Sequence, residues 1–168
     1  MKTLVDCVIE DSRWQAIGLP ALAETAVGAV FSALGLPEVG LNLCLMGCDD
    51  ARIMALNADF RGKAKPTNVL SWPSWDLAPD VAGAMPDPPE PGTDQDPESL
   101  GDIAIAFDTC AREAEADARS MAAHVTHLVV HGTLHLLGYD HDRDPDAALM
   151  ESTEVRILAT LGISDPYE

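Results

Sequence analysis

Apolar and polar residues alternate along the chain in two different periods, and the switches between them mark the elements. Val5, Cys7 and Ile9 alternate with Leu4, Asp6, Val8 and Glu10, a period of two that predicts a first strand. Pro20 then opens a helix to about Leu34, because Leu22, Ala26, Val27, Val30, Phe31 and Leu34 share one stripe at helical spacing. Gly35 ends it and Pro37 blocks its continuation. Leu41 to Met46 predict a second strand. Asp49-Asp50 is placed to cap a helix that passes Ile53, Met54 and Leu56 to reach Phe60 and Arg61. Val69 to Trp72 predict a short third strand that stops at Pro73.

From Asp76 to Leu100 no period survives. Half of the prolines lie there, with seven acidic residues and no basic one, the composition of a long, mobile surface loop. Gly101 to Phe107 alternates again and predicts a fourth strand. Asp108 or Thr109 is expected to cap a helix through about Met121. In the next segment Val125, Leu128, Val129, Leu134, Leu136 and Leu137 put apolar surface on several sides, the pattern of a central, mostly buried helix. Asp144-Pro145 starts a last helix whose core residues are Leu149, Met150, Ile157, Leu158 and Leu161. The expected fold is a single α+β domain over residues 1–168. It has a small mixed sheet of about four strands packed with about five helices. A chain of 168 residues suits one domain with a real core.

The central helix also carries the most specific chemistry, in the stretch His131-Gly132-Thr133-Leu134-His135-Leu136-Leu137-Gly138-Tyr139-Asp140-His141. Residues four apart on a helix differ by about 400° of rotation and roughly 6 Å of rise. His131 and His135 therefore project from one face, where a single ion can touch both. Gly138 can take the positive φ that ends a helix, and the resulting turn brings His141 to the same ion. Three neutral imidazoles with one open position form the ligand set of a catalytic zinc, one per chain. The spacing matches the metzincin proteases except that Gly132 replaces their general-base glutamate, which disfavours a protease. His124 and His127 share nearly the same stripe and also pair with His131, but no glycine turn follows them to recruit a third ligand. They read as partly buried or supporting histidines.

The net charge of −18 changes the view of partners. It argues against non-specific binding to nucleic acid, which depends on Lys and Arg neutralising phosphates. The densest positive charge is Arg61-Gly62-Lys63-Ala64-Lys65, so any attraction for a nucleic-acid strand is expected from Arg61, Lys63 and Lys65. No apolar run approaches the roughly 20 residues of a membrane span, and Asp6, Glu10 and Asp11 interrupt any signal-peptide core. A cytoplasmic protein without membrane contact is expected. Cys7, Cys44, Cys48 and Cys110 are then free thiols, since on a strand Cys44 and Cys48 stand about 13 Å apart, too far for one ion.

Four stretches together resemble one family. His131 to His141, Leu56 to Gly62 with Thr67 to Pro73, Gly101-Asp102-Ile103, and the Met150/Glu154/Leu158 pattern are similar to the bacterial YbeY family. The resemblance implies a zinc-dependent, single-strand-specific endoribonuclease acting in ribosomal RNA maturation and ribosome quality control. It carries the zinc ligands onto His131, His135 and His141, and the functional arginine onto Arg61. Where the family usually has Asp in its TDVLSFP motif, this chain has Asn68. A guanidinium presents two parallel donors to a phosphate and keeps its charge, so Arg61 suits a phosphodiester as a catalytic group. A surface salt bridge is the bland alternative for it. Asp140 is the carboxylate nearest the ligands and either moves a proton, orients a ligand or stabilises the turn. A ribosome-assembly factor with a structural zinc is the alternative function. Basic proteins of the ribosomal small subunit would then be its partners.

Overall fold

In the computed structural model, which describes residues 4–167, the strongest alternation of burial runs along Leu41–Cys48 (β2). Leu41, Leu43 and Leu45 are buried on one face and Cys48 on the other. On one side β2 pairs in parallel with β1 (Val5–Ile9), placing Val5 opposite Leu43. On the other it pairs in parallel with β4 (Glu98–Ala106), placing Leu45 opposite Ile103. β3 (Val69–Pro73) closes the sheet antiparallel to β4, with Leu70 opposite Ala104. The order is β1-β2-β4-β3, which leaves β3 as an edge strand.

Six helices complete the described chain: α1 (Arg13–Ala16), α2 (Leu19–Leu34), α3 (Asp50–Arg61), α4 (Phe107–Ala116), α5 (Met121–Leu136) and α6 (Asp144–Thr160). The main core lies on the Leu45/Ile103 face of the sheet. There Val27, Val30 and Phe31 of α2, Val125, Val129 and Leu134 of α5 and Ile157 of α6 meet Leu43, Leu45 and Ile105. The opposite face carries a smaller cluster, in which Ile53 of α3 packs on Cys48, Leu70, Ala104 and Ala106. Among the described residues no helix is long and apolar enough to cross a membrane.

The expected α+β mixed sheet is present, and several boundaries differ for local reasons. The single turn α1 has too few residues to show a period. Its Trp14 is fully buried and donates from the indole N–H to the Cys48 carbonyl at 2.8 Å. α4 starts at Phe107 with Ala106 as its N-cap, so neither Asp108 nor Thr109 caps it. Their side chains are committed elsewhere: Asp108 takes the Arg13 guanidinium at 2.7 Å, and the Thr109 hydroxyl donates to Asp50 at 2.9 Å. α4 also ends before Met121, because Ala118 adopts φ +53 and breaks the helix. β4 begins at Glu98, so residues 98–100 belong to the sheet and not to the acidic loop.

The rest of that loop is irregular but tied down. Arg143 donates to the carbonyls of Pro79 and Asp80, and Asp146 accepts the Gly83 N–H at 2.8 Å. The Gly40 carbonyl accepts the N–H groups of both Gly92 and Glu98 at 2.9 Å. These hydrogen bonds join the segment to Arg143 and Asp146 at the start of α6 and to Gly40 just before β2. All four cysteines are free thiols.

Candidate active site

α5 begins at Ser120, whose hydroxyl accepts the Ala123 N–H at 3.1 Å, a cap worth about 1 kcal/mol. About three and four turns later His131 and His135 emerge on one face, with their Nε2 atoms 3.0 Å apart. The helix ends at Leu137, and Gly138 at φ +98 turns the chain. An added Cβ at Gly138 would meet the Leu77 backbone at 2.7 Å, so both the turn and the neighbouring loop require glycine. The Tyr139 N–H returns to the Leu134 carbonyl at 3.0 Å, and His141 comes round to the pair. Its ring centroid lies 5.6 Å from that of His131 and 5.0 Å from that of His135. One nitrogen from each ring falls within 4.8 Å of the others.

The hydrogen bonds behind these rings decide what the group can bind. His131 Nδ1 lies 2.6 Å from Glu154 Oε1. Glu154 is fully buried, and burial alone would raise its carboxyl. The hydrogen bonds from His127 and His131, the charge of His131 and the Tyr167 hydroxyl outweigh that and bring it to about 2. It is an acceptor only, so Nδ1 of His131 carries a proton, and a lone pair on Nε2 is what a metal would take. His135 Nδ1 faces the Tyr139 carbonyl at 3.0 Å, which also can only accept. Burial, followed by the charges of His131 and His141, pushes His135 down to about 4. With both Nδ1 protons used, the two Nε2 atoms present bare lone pairs to each other. That contact is repulsive unless a cation lies between them. Zinc held at its usual distance of 2.0–2.1 Å from two imidazoles separates tetrahedral nitrogens by about 3.3 Å. The donor set therefore fits a divalent metal.

His127, His131 and Glu154 also approach one another closely enough to hold an ion. Their contacts are instead filled by protons. His127 Nε2 lies 3.0 Å from Glu154 Oε2, and the Tyr167 hydroxyl donates to the same oxygen. His124 is bound to Glu113 at 2.9 Å, and Glu113 also accepts from Asn68 at 3.0 Å. An aspartate at position 68 would face that carboxylate with a like charge; the asparagine meets it with a donor.

A cavity of about 600 Å³ opens over the three histidines, and Arg61, Asn68, Ser71, Trp75 and Asp140 also line it. Arg61 is exposed at the last residue of α3, where Gly62 ends the helix. Lys63 and Lys65 are exposed as well, but neither lines the cavity. Asp140 accepts the His141 backbone N–H at 2.8 Å, the turn-stabilising contact. Gly132 faces the sheet: an added Cβ would meet Ile103 at 3.1 Å and the Ser71 hydroxyl at 3.2 Å. A larger side chain there would need Ile103 and Ser71 to give way.

Three groups at the site were not identified as site residues from the sequence: Glu154, the Tyr139 carbonyl and Tyr167. Glu154 had a legible signal, since it sits on the stripe Met150, Glu154, Ile157 and Leu158 that α6 buries. A carboxylate on a buried face needs a partner. The other two have none, because they act through a backbone atom and a residue near the chain end.

Comparison with known proteins converges on one family. The family model described as Endoribonuclease YbeY matches residues 9–162. A protein of Cereibacter sphaeroides named Endoribonuclease YbeY is 59% identical over 167 residues, covering 99% of this chain and all of the relative. One of the same name from Ruegeria pomeroyi is 58% identical, covering 97% of each. The solution structure of TM1509 from Thermotoga maritima shares the fold at a TM-score of 0.55 and 21% identity, over 98% of this chain and 99% of that one. By its sequence over nearly its whole length, this chain belongs to the YbeY endoribonuclease family.

Proposed function

We propose that the protein is a zinc-dependent endoribonuclease that hydrolyses phosphodiester bonds in single-stranded RNA. Its substrate is ribosomal RNA, during maturation and quality control of the ribosome in the cytoplasm. The relatives' shared name supports the reaction class. One observation supports the chemistry above the rest: two bare Nε2 atoms converge 3.0 Å apart in a cavity that Arg61 also lines.

His131, His135 and His141 hold the metal, and Glu154 and the Tyr139 carbonyl fix the tautomers of the first two. When bound, zinc would supply Lewis-acid polarisation of a phosphoryl oxygen and acidify a water to about pKa 7. Arg61 holds the phosphoryl oxygens with two parallel donors and offsets the charge that grows on them in the transition state. Asp140, whose one oxygen is taken by the His141 N–H, orients the turn and accepts a proton from the attacking group. Gly132 leaves no base in the protease position, so proton removal falls to Asp140; the RNA's own 2′-OH is an internal nucleophile that can make the attack, and the bond to the 5′-oxygen breaks as that oxygen takes up the proton. Lys63 and Lys65 guide the strand toward Arg61.

The test is cleavage of unpaired and paired RNA by wild type, Arg61→Glu and chelated protein. Wild type should cut the unpaired strand, and the other two should not. A second reading, an assembly factor with structural zinc that binds proteins of the ribosomal small subunit, is favoured by the net charge of −18. It requires ribosome binding that survives Arg61→Glu and no cleavage by wild type.

A further inference from the structure

The cavity also presents aromatic surface that the chemistry above leaves unused. Trp75 is 52% exposed and Phe60 is 47% exposed, and both line the cavity that holds His131, His135 and Arg61. They come from separate segments: Phe60 from the last turn of α3, Trp75 from the chain just after the edge strand β3. Phe60 is held in place from behind by Trp72, with ring centroids 5.2 Å apart and planes tilted by 50°. Charge gives the cavity little hold on a polyanion. Among its lining side chains Arg61 is the one Lys or Arg, and it stands against Asp76, Asp140 and Asp142. An RNA strand that reaches the histidines meets one cationic side chain against three carboxylates, so contacts other than phosphate neutralisation must add to the hold of Arg61 and the proposed metal. Aromatic rings supply one, since every base has a π-face, and stacking on a side chain is worth roughly 1–3 kcal/mol per base.

We propose that Phe60 and Trp75 are base-stacking residues, each taking the face of one unpaired base beside the phosphodiester presented to Arg61 and the histidines. The proposal rests on RNA being the substrate of the same cavity. It gives single-strand preference a physical cause: a base inside a duplex is already stacked on both faces and cannot lie on either ring. The selectivity then resides in two side chains that touch neither the metal ligands nor the scissile phosphate.

The experiment measures equilibrium binding of zinc-loaded protein to a short unpaired RNA oligomer, read faster than cleavage, with the KM and kcat of cleavage beside it. The variants are Trp75→Leu, Phe60→Leu and Trp75→Phe. The probes are the intact oligomer, an abasic oligomer of equal length and a hairpin stem. Each leucine variant should bind the intact oligomer about tenfold more weakly and raise KM by a similar factor, with kcat, zinc content and stem binding unchanged. Trp75→Phe should restore most of the affinity. Wild type should bind the abasic oligomer more weakly still than either leucine variant binds the intact one, because both stacks are then lost. Equal binding of intact and abasic oligomers by wild type would overturn the proposal, even if a leucine variant were partly misfolded. So would a Trp75→Leu variant that binds normally but loses self-association, since the surface would then be a contact between copies. Cleavage by wild type with unchanged leucine variants removes the stacking role alone. Stacking-dependent binding without cleavage removes the nuclease reading and leaves the stacking role standing.

Discussion

Glu154 illustrates how a residue behind the converging histidines sets the chemistry of the site. Its buried carboxylate fixes the proton of His131 on Nδ1 and so turns Nε2 toward His135 and the cavity. Glu154→Gln keeps the shape but removes the charge, and such supporting contacts are typically worth 10–100-fold in metal affinity. Titration against a competing chelator should show zinc bound about tenfold or more weakly, with the fold intact by circular dichroism. Arg61 is a different case, because it acts on the phosphate. Arg61→Lys keeps the charge and loses the paired donors, so kcat should fall by about tenfold or more while KM changes little. The convergence of His131, His135 and His141 was legible in the sequence because the i, i+4 pair and the glycine turn are local patterns. Glu154 lies 23 positions beyond His131, and only the packing of α6 on α5 brings them together.

At the scale of elements, the turn after α5 and the acidic loop depend on each other. Gly138 allows the turn and the approach of Leu77 at once. Gly138→Ala should cost about 2 kcal/mol from the positive φ, lowering Tm by roughly 4–8 °C. It should also weaken zinc binding, because His141 is delivered by that turn. Composition alone suggests that the loop can be shortened at no cost. The bonds from Arg143, Asp146 and Gly40 lead to the opposite expectation. Replacing residues 79–97 with a brief Gly/Ser link should lose about 2–3 kcal/mol, and Tm should drop by roughly 5–10 °C. An unchanged Tm would show that those contacts contribute nothing. Periodicity revealed the strands and long helices here, since burial on one face writes a period into the residues. It did not reveal that Asp108 and Thr109 serve Arg13 and Asp50 instead of capping α4, because those partners lie far along the chain. The start of β4 at Glu98 was hidden in the same way: Glu98 and Ser99 are exposed, polar strand residues paired to Leu41 and Asn42.

For the molecule as a whole, charge and acid stability follow from the same site. His135 sits at about 4 in the folded, metal-free protein and near 6.5 in an unfolded chain. Between those values the unfolded chain binds a proton that the native site refuses, so stability is full above about pH 6.5 and declines toward pH 4. Thermal melts of chelated protein should show Tm falling across that window. With a net charge of −18 and few cations near the cavity, binding to unpaired RNA should depend only weakly on salt. Two or three phosphate contacts give a slope of about −1.5 to −2 in log affinity against log salt. The most direct test of the whole account is to count zinc and measure cleavage of unpaired RNA in the same preparations of wild type, His135→Ala and His127→Ala. The account predicts about one zinc per chain and full activity in wild type, and neither in His135→Ala. His127→Ala should retain most of its zinc. Loss of zinc from His127→Ala with retention in His135→Ala would place the ion between His127, His131 and Glu154, and cleavage by zinc-free His135→Ala would contradict the account outright.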